Sequence, residues 1–176
     1  MLEDKPFGEQ MAWLAAMLDG EGCISAYAFP AHRKAGMSRK DGTMKYRVKL
    51  LIAVTNTSEA IIAEVRRLFA VVGETNPVVH VHKIDRTKQK QCWRVHITSN
   101  GPVSRVLQAV RPWLVAKHGQ ADLVLAIAAH RERLIAKYGK KATESRVEND
   151  TWLREQLGSL RTMNLKGPRK EVYASL

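Results

Sequence analysis

The chain opens with a helix that is apolar on almost every side. Residues 11–20 contain a polar side chain only near their end, which predicts a helix without a solvated face. Ala12, Ala16 and Gly20 recur four residues apart in this helix and therefore lie on one stripe. A stripe of small residues allows a second backbone to approach closely. The pattern therefore predicts a helix that packs on more than one side.

Four later segments change to a hydrophobic period of two, which predicts strands. They cover 23–33, 44–55, 77–84 and 91–98, and the turn signal Asp41-Gly42 joins the first two as a hairpin. In each strand one face is apolar, whereas the other carries basic, histidine, polar or aromatic side chains. This second set, together with two residues of the following loop, is named the basic face. It consists of Ser25, Tyr27, Phe29, His32, Arg33, Arg47, Lys49, His80, His82, Arg94 and His96.

Helices complete the predicted order. Thr57 or Ser58 caps a helix that ends near Gly73, and further helices are predicted over 102–112, 119–138 and 148–160. The order helix, hairpin, helix, hairpin, helices predicts an α+β fold with a four-stranded antiparallel sheet. Helices would cover one face of this sheet and leave the basic face open. We expect one domain over 1–160 and a basic tail over 161–176.

Charge then narrows the class of partner. The 176 residues carry 29 Lys and Arg against 17 Asp and Glu, a formal net charge of +12. Such an excess favours a polyanion, and a curved ribbon of strands fits the major groove of DNA. An anionic membrane is disfavoured because no basic amphipathic helix with bulky apolar anchors is present. Two cysteines without metal or redox spacing and an acidic, polar N-terminus predict a protein of a reducing intracellular compartment.

The end of the first helix has an unusual charge. Asp19 and Glu21 lie at the negative end of the helix dipole, which costs about 0.3–1 kcal/mol for an acid. Gly22 is predicted to be a left-handed C-cap. The string LAAMLDGEG, residues 14–22, resembles the LAGLIDADG motif of the homing endonucleases of that name. An ordinary buried helix with a polar cap is the alternative interpretation of this string alone.

Three further stretches carry the resemblance, in the order found in that family. VTNTSEA at 54–60 follows the second strand, RPWLVAKHGQADLVLAI covers 111–127, and TWLREQ covers 151–156. The chain is most similar to the single-motif branch that works as homodimers, as in endonucleases of algal chloroplast introns. The resemblance implies an αββαββα fold and a site-specific homing endonuclease that makes a double-strand break in a long pseudo-palindromic DNA target. The alternative is a relative that binds nucleic acid without cutting, such as a group I intron maturase acting on RNA or a transcription factor.

The resemblance also implies roles for particular residues. Glu21 matches the acid that binds the catalytic metal, Mg²⁺ shared at the dimer axis, with the Gly20 carbonyl as an extra ligand. Lys117 matches the active-site lysine, with an ordinary surface lysine as the alternative. Asn56 either orients water or caps the second helix, and Asp19 is interpreted as mainly structural.

One position departs from the family. Ala60 stands where relatives often carry a basic residue, so another cation such as Arg33 or Lys49 would take over, or turnover would be slow. In the homodimer, Ala12, Ala16 and Gly20 would form the interface.

The remaining polar residues receive simpler interpretations. The basic face would contact bases, and the tail residues Arg161, Lys166, Arg169 and Lys170 would hold phosphates. No cysteine or carboxylate completes a zinc set around His80 and His82. His118 and His130 are predicted to be ordinary helix residues, and the four tryptophans are predicted to lie in the core. The sequence does not distinguish an organelle from a bacterial cytoplasm.

Overall fold

The computed structural model describes residues 2–30, 46–82, 91–139 and 150–164. These ranges hold four strands and five α-helices, with short 3-10 turns at Leu2–Asp4 and Arg111–Trp113. In chain order the elements are α1 (Phe7–Glu21), β1 (Gly22–Pro30), β2 (Tyr46–Asn56), α2 (Glu59–Gly73), β3 (Val78–His82), β4 (Cys92–Ile97), α3 (Asn100–Val110), α4 (His118–Tyr138) and α5 (Thr151–Met163). The predicted α+β fold is confirmed.

The strands form one antiparallel sheet in the order β1-β2-β4-β3. Period-two alternation sorts the side chains, so that the register pairs Ile24 with Ile52 and Val54 with Val95 on the helix side. These four side chains are completely buried. Helices α1, α2 and α3 pack against that side, while α4 and α5 pack against β1. Within the described ranges, helices leave the opposite side of the sheet uncovered, where Tyr27 and Arg47 are exposed.

Helix α2 shows how local sequence sets the boundaries. The Ser58 hydroxyl accepts a hydrogen bond from the Ile61 N–H at 3.4 Å, as expected of an N-cap. Gly73, predicted as the stop, is the last helical residue instead. The left-handed position is taken by Glu74, with φ of 45°. Gly73 is closely packed, because a Cβ there would lie 3.2 Å from Thr75 Cγ2 and 3.3 Å from Val106 Cγ2 of α3.

The prediction for Gly22 was also wrong. Its φ of −86° and ψ of 163° are extended, so it is not a left-handed cap. The chain passes from α1 into β1 without a connecting loop, and a left-handed residue would turn it away from the sheet. Its N–H still closes the helix by donating to the Leu18 carbonyl.

The last helix also ends later in the chain than predicted. Helix α5 continues to Met163, so Arg161 is an exposed helix residue and not part of a tail. The Asn164 amide donates to the Ile24 carbonyl of β1 at 3.0 Å, which fixes the end of α5 to the sheet. Other predictions lie outside the described residues: the Asp41-Gly42 turn and the positions of His32, Arg33, Lys166, Arg169 and Lys170.

Candidate active site and nucleic-acid interface

The register brings the predicted residues of the basic face together on the uncovered side of the sheet. Tyr27 pairs with Lys49, and His80 pairs with Arg94. The same side carries Ser25, Phe29, Arg47 and His96. His82 pairs with Cys92 at the end of β3. Whether these residues contact nucleic acid stays a prediction.

A pocket of about 280 Å³ lies in the middle of this face. Among the described residues its lining contains no acid; the lining residues are Tyr27, Lys49, Leu51, His80, Arg94 and His96. The imidazole rings of His80 and His96 stack with their centroids 5.1 Å apart. Burial, followed by the charges of His80, Arg94 and Lys49, lowers the pKa of His96.

Arg94 adds a second sign that the pocket accepts an external group. Its Nε is buried and has no hydrogen-bond partner among the residues that the structure describes. A buried donor without a partner is costly, so a ligand oxygen or nitrogen at this place would be favoured. A pocket of donors without acids suits phosphate or the acceptor edge of a base. Leu51, on the same face, was not among the predicted contacts, although the strand alternation places it there.

At one end of the basic face lies the acidic end of α1. Glu21 is the last helical residue and is exposed, and Gly20 is exposed with no atom within 4 Å of an added Cβ. Since β1 starts at Gly22, the Glu21 carboxylate lies where α1 joins the sheet. An exposed carboxylate at the negative end of a helix is a suitable ligand for a divalent cation.

Lys117 is brought to the same helix end from 98 residues away in the sequence. Its Nζ donates to the carbonyl oxygens of Leu18 at 2.6 Å and Asp19 at 2.7 Å. The ammonium therefore offsets the negative end of the α1 dipole. The structure places Lys117 at the motif helix. Its role as the active-site lysine stays a prediction.

Asp19 holds the segment that carries Lys117. One carboxylate oxygen accepts from the Val115 N–H at 2.7 Å, and the other accepts from the Lys117 N–H at 2.8 Å. This geometry agrees with the mainly structural interpretation of Asp19. The sequence gives no signal for these partners, because α1 and the segment before α4 are distant in the chain.

Asn56 lies at the same end of the sheet, two residues beyond the Gly22–Val54 pair. Its Oδ1 accepts from the Ser58 N–H at 2.8 Å, just before α2 begins. This contact favours the capping alternative for Asn56. A role in orienting water stays a prediction.

The position that departs from the family is exposed. Ala60 lies in the first turn of α2, and its methyl group supplies no positive charge. Lys49 lies five residues along β2 from Val54, about 17 Å of strand, so its backbone is distant from the motif end. Whether Lys49 or Arg33 supplies the missing cation stays a prediction.

The small-residue stripe of α1 lies on its outer side. Ala12 is half-buried, and Ala16 and Gly20 are exposed. Trp113 was predicted to lie in the core, but 47% of its surface is exposed, and Val115 next to it is 88% exposed. An apolar surface therefore extends from α1 to the segment before α4.

The remaining histidines lie on α4 and do not form a metal site with other described residues. Among the residues with described coordinates, no three His, Cys, Asp or Glu side chains come together as a metal site. His118 pairs with Asp122 at 3.2 Å, and His130 Nε2 lies 2.6 Å from Asp150 Oδ2. His118 thus has its partner on the same helix, α4, and His130 of α4 has its partner at the N-cap of α5. In the same part of the chain, no helix has the length and hydropathy needed to cross a membrane.

Comparison with solved structures identifies the fold. The chain is similar to the homing endonuclease I-CvuI in complex with its target in the presence of Ca: TM-score 0.60, 20% identity, 93% of this chain and 87% of that one. It is also similar to the archaeal intron-encoded homing endonuclease I-Vdi141I complexed with DNA, with a TM-score of 0.60 and 11% identity over 92% of this chain and 88% of that one. The LAGLIDADG homing endonuclease I-GzeII in complex with its DNA target gives a TM-score of 0.53 at 12% identity, covering 86% and 43%. No protein-family model matches the chain, and no curated protein does. The chain has the LAGLIDADG homing endonuclease fold, as the motif implied.

Proposed function

We propose that this chain is a LAGLIDADG homing endonuclease that cuts both strands of a long DNA target. The observation that carries the proposal is that the Lys117 ammonium binds the last turn of α1, the helix that ends at Glu21 and leads directly into the sheet with the basic face. A sheet that only bound nucleic acid would need the basic face but neither of these two groups. The solved proteins of this fold bound to DNA support the same activity.

The chemistry assigned to this site is phosphodiester hydrolysis. Glu21 would hold a divalent cation, for which we propose Mg²⁺, with the Gly20 carbonyl as a further ligand. A cation bound there would stabilise the negative charge on the leaving 3′ oxygen and would lower the pKa of a water molecule that it binds. The Lys117 ammonium, held at the end of α1, would offset charge on the scissile phosphate.

We further propose that the active unit is a homodimer. Each chain supplies one Glu21, whereas two strands must be cut. Packing of two α1 helices on the stripe of Ala12, Ala16 and Gly20 would bring two Glu21 carboxylates close together. Their mutual repulsion would be relieved by cations and by the DNA between the two subunits.

Recognition would come from the basic face. Each four-stranded sheet would lie in the major groove of one half-site, where base edges have a distinct donor and acceptor pattern. The pocket around Arg94 would bind an acceptor group, and exposed cations such as Arg161 would contact phosphates. Two such sheets would give a pseudo-palindromic target.

The deciding experiment compares binding with cleavage on a selected target. The target must first be enriched from random DNA by binding, because I-CvuI with the I-CreI target in the presence of Mg holds DNA that is not cleaved. Glu21→Gln should bind the enriched DNA within a few-fold of the wild type and should not cut it. Glu9→Gln, which neutralises an acid in the first turn of the same helix, should bind and cut normally.

Each other outcome has a defined meaning. Full cleavage by Glu21→Gln would refute the assignment of Glu21 as a metal ligand. Specific binding without any cleavage by the wild type would favour the alternative of a DNA-binding protein of this fold that does not cut. Enrichment of RNA in preference to DNA would instead point to a maturase.

A further inference from the structure

The segment between α3 and α4 carries Lys117 but has little regular structure of its own. It follows the 3-10 turn Arg111–Trp113, and Lys117 is the residue before α4. Leu114 is buried and anchors the segment, whereas the Val115 side chain is 88% exposed. The course of the backbone between these points must therefore be fixed by hydrogen bonds.

Asp19 provides those hydrogen bonds. Its two carboxylate oxygens accept from the backbone N–H groups of Val115 and Lys117, at 2.7 and 2.8 Å. Charge-assisted bonds of this length are the strong class, and two of them fix both position and orientation. A carboxylate at the C-terminus of α1 is unfavourable for the helix, so its place there requires a compensating role.

The same arrangement continues into the Lys117 side chain. The ammonium donates to the carbonyl oxygens of Leu18 and Asp19, the last turn of α1. Asp19 thus binds the backbone of Lys117 with its side chain and the ammonium of Lys117 with its carbonyl. Two hydrogen bonds join these two residues, and a third joins Val115 to Asp19, so that the segment carrying the lysine is fixed to the motif helix.

We propose that Asp19 is the positioning residue for Lys117: it clamps the 115–117 backbone so that the ammonium is held on the last turn of α1, the helix that ends at Glu21. The catalytic consequence rests on the proposed function, whereas the clamp itself does not. Because Val115 belongs to the same segment, the clamp also connects the exposed apolar surface to the site.

The first test measures the clamp without any cleavage. Amide hydrogen exchange at Val115 and Lys117 should become at least about 10-fold faster in Asp19→Asn, since an amide nitrogen replaces one acceptor. The matched control is Asp122→Asn, which neutralises an acid bound to Arg111 and His118 beside the same segment. Exchange at both amides should be unchanged in this control, and unchanged exchange in Asp19→Asn would overturn the clamp.

The second test measures single-turnover cleavage of bound DNA. Asp19→Asn should cut about 10- to 100-fold more slowly with a Kd within a few-fold of the wild type, because small displacements of a catalytic group are costly. Asp19→Glu keeps the charge but moves the carboxylate by one methylene group, so it should also cut slowly. Normal cleavage by either variant would overturn positioning.

A double-mutant cycle identifies the residue through which Asp19 acts. In a Lys117→Ala background, Asp19→Asn should cause little further loss, since the group that it positions is already gone. An equal loss in both backgrounds would overturn action through Lys117. A wild type that cuts no selected target would refute the proposed function alone, and amide exchange would still decide the clamp.

Discussion

At the scale of single residues, the stacked imidazoles of His80 and His96 show how burial and nearby cations act on a titratable group of the basic face. The rings are nearly parallel, 11° apart, and Lys49 and Arg94 line the same pocket. Burial and these charges lower the pKa of His96, so the neutral ring is favoured in the free protein. A neutral imidazole can both donate and accept a hydrogen bond, which suits contact with a base edge.

This pKa gives opposite pH effects on folding and on DNA binding. His96 binds protons less readily when folded than when unfolded, so its contribution to stability is complete above the usual value of about 6.5 and is lost as the pH falls through the folded pKa. A phosphate favours the protonated His96 ring, so the affinity for DNA should rise as the pH falls over the same range. NMR titration should show that the pKa of His96 lies below 6.5. The substitution Arg94→Gln should raise this pKa, because it removes a neighbouring positive charge. A normal pKa in the wild type would refute this account.

Single residues also mark what a sequence can reveal. Glu21, Lys117 and Asn56 were found through matched segments, but their contacts were not. The bonds from Asp19 to the 115–117 backbone join residues 96 and 98 apart, and no local pattern reports such pairs. The Asn56 bond to Ser58, two residues away, was foreseen as one alternative because turn chemistry is local.

At the scale of elements, the direct joint between α1 and β1 is the most constrained point. A Cβ on Gly22 would lie 2.5 Å from the Leu18 carbonyl oxygen and 2.6 Å from its Cα. Both atoms belong to the backbone and cannot move aside. Glycine is therefore required by close approach and not by a left-handed φ.

Gly22→Ala should consequently destabilise the fold by about 1–3 kcal/mol, the usual range for forced overpacking. The control is Gly158→Ala in α5, where no atom lies within 4 Å of an added Cβ. That change should stabilise α5 by about 0.5–1 kcal/mol, because alanine is the better helix former. Urea unfolding measures the stability of both variants. Equal stabilities would contradict the claim that close approach requires glycine at position 22.

The elements themselves were largely predictable, because alternation and helical spacing follow directly from which side is buried. At the strand ends that the structure describes, the prediction is off by one residue: β1 begins and β2 ends one residue beyond it, whereas β3 begins one residue late and β4 is one residue shorter at each end. The roles of Gly22 and Gly73 were wrong for a different reason. Each glycine serves a contact between elements, and such contacts depend on packing that a local pattern does not contain.

At the scale of the whole molecule, the proposed dimer turns an exposed stripe into an interface. Gly20 has open space around it in the single chain, so a larger side chain there meets no atom of its own subunit. Across a two-fold axis the same side chain would separate the two α1 helices. Replacing Gly20 by a larger residue therefore distinguishes a monomeric protein from a dimeric one.

Gly20→Leu should fold normally but sediment as a monomer and lose double-strand cleavage, whereas Gly158→Leu should remain a dimer. The control is matched, because Gly158 also lies in a helix with no atom within 4 Å of an added Cβ. Leucine favours a helix over glycine by up to about 1 kcal/mol, so neither variant should be destabilised as a single chain. Sedimentation velocity decides the matter: a Gly20→Leu variant that stays dimeric would place the interface elsewhere. The exposed apolar residues of the 113–115 segment would then be the next surface to alter, since Val115 is joined to the site through Asp19.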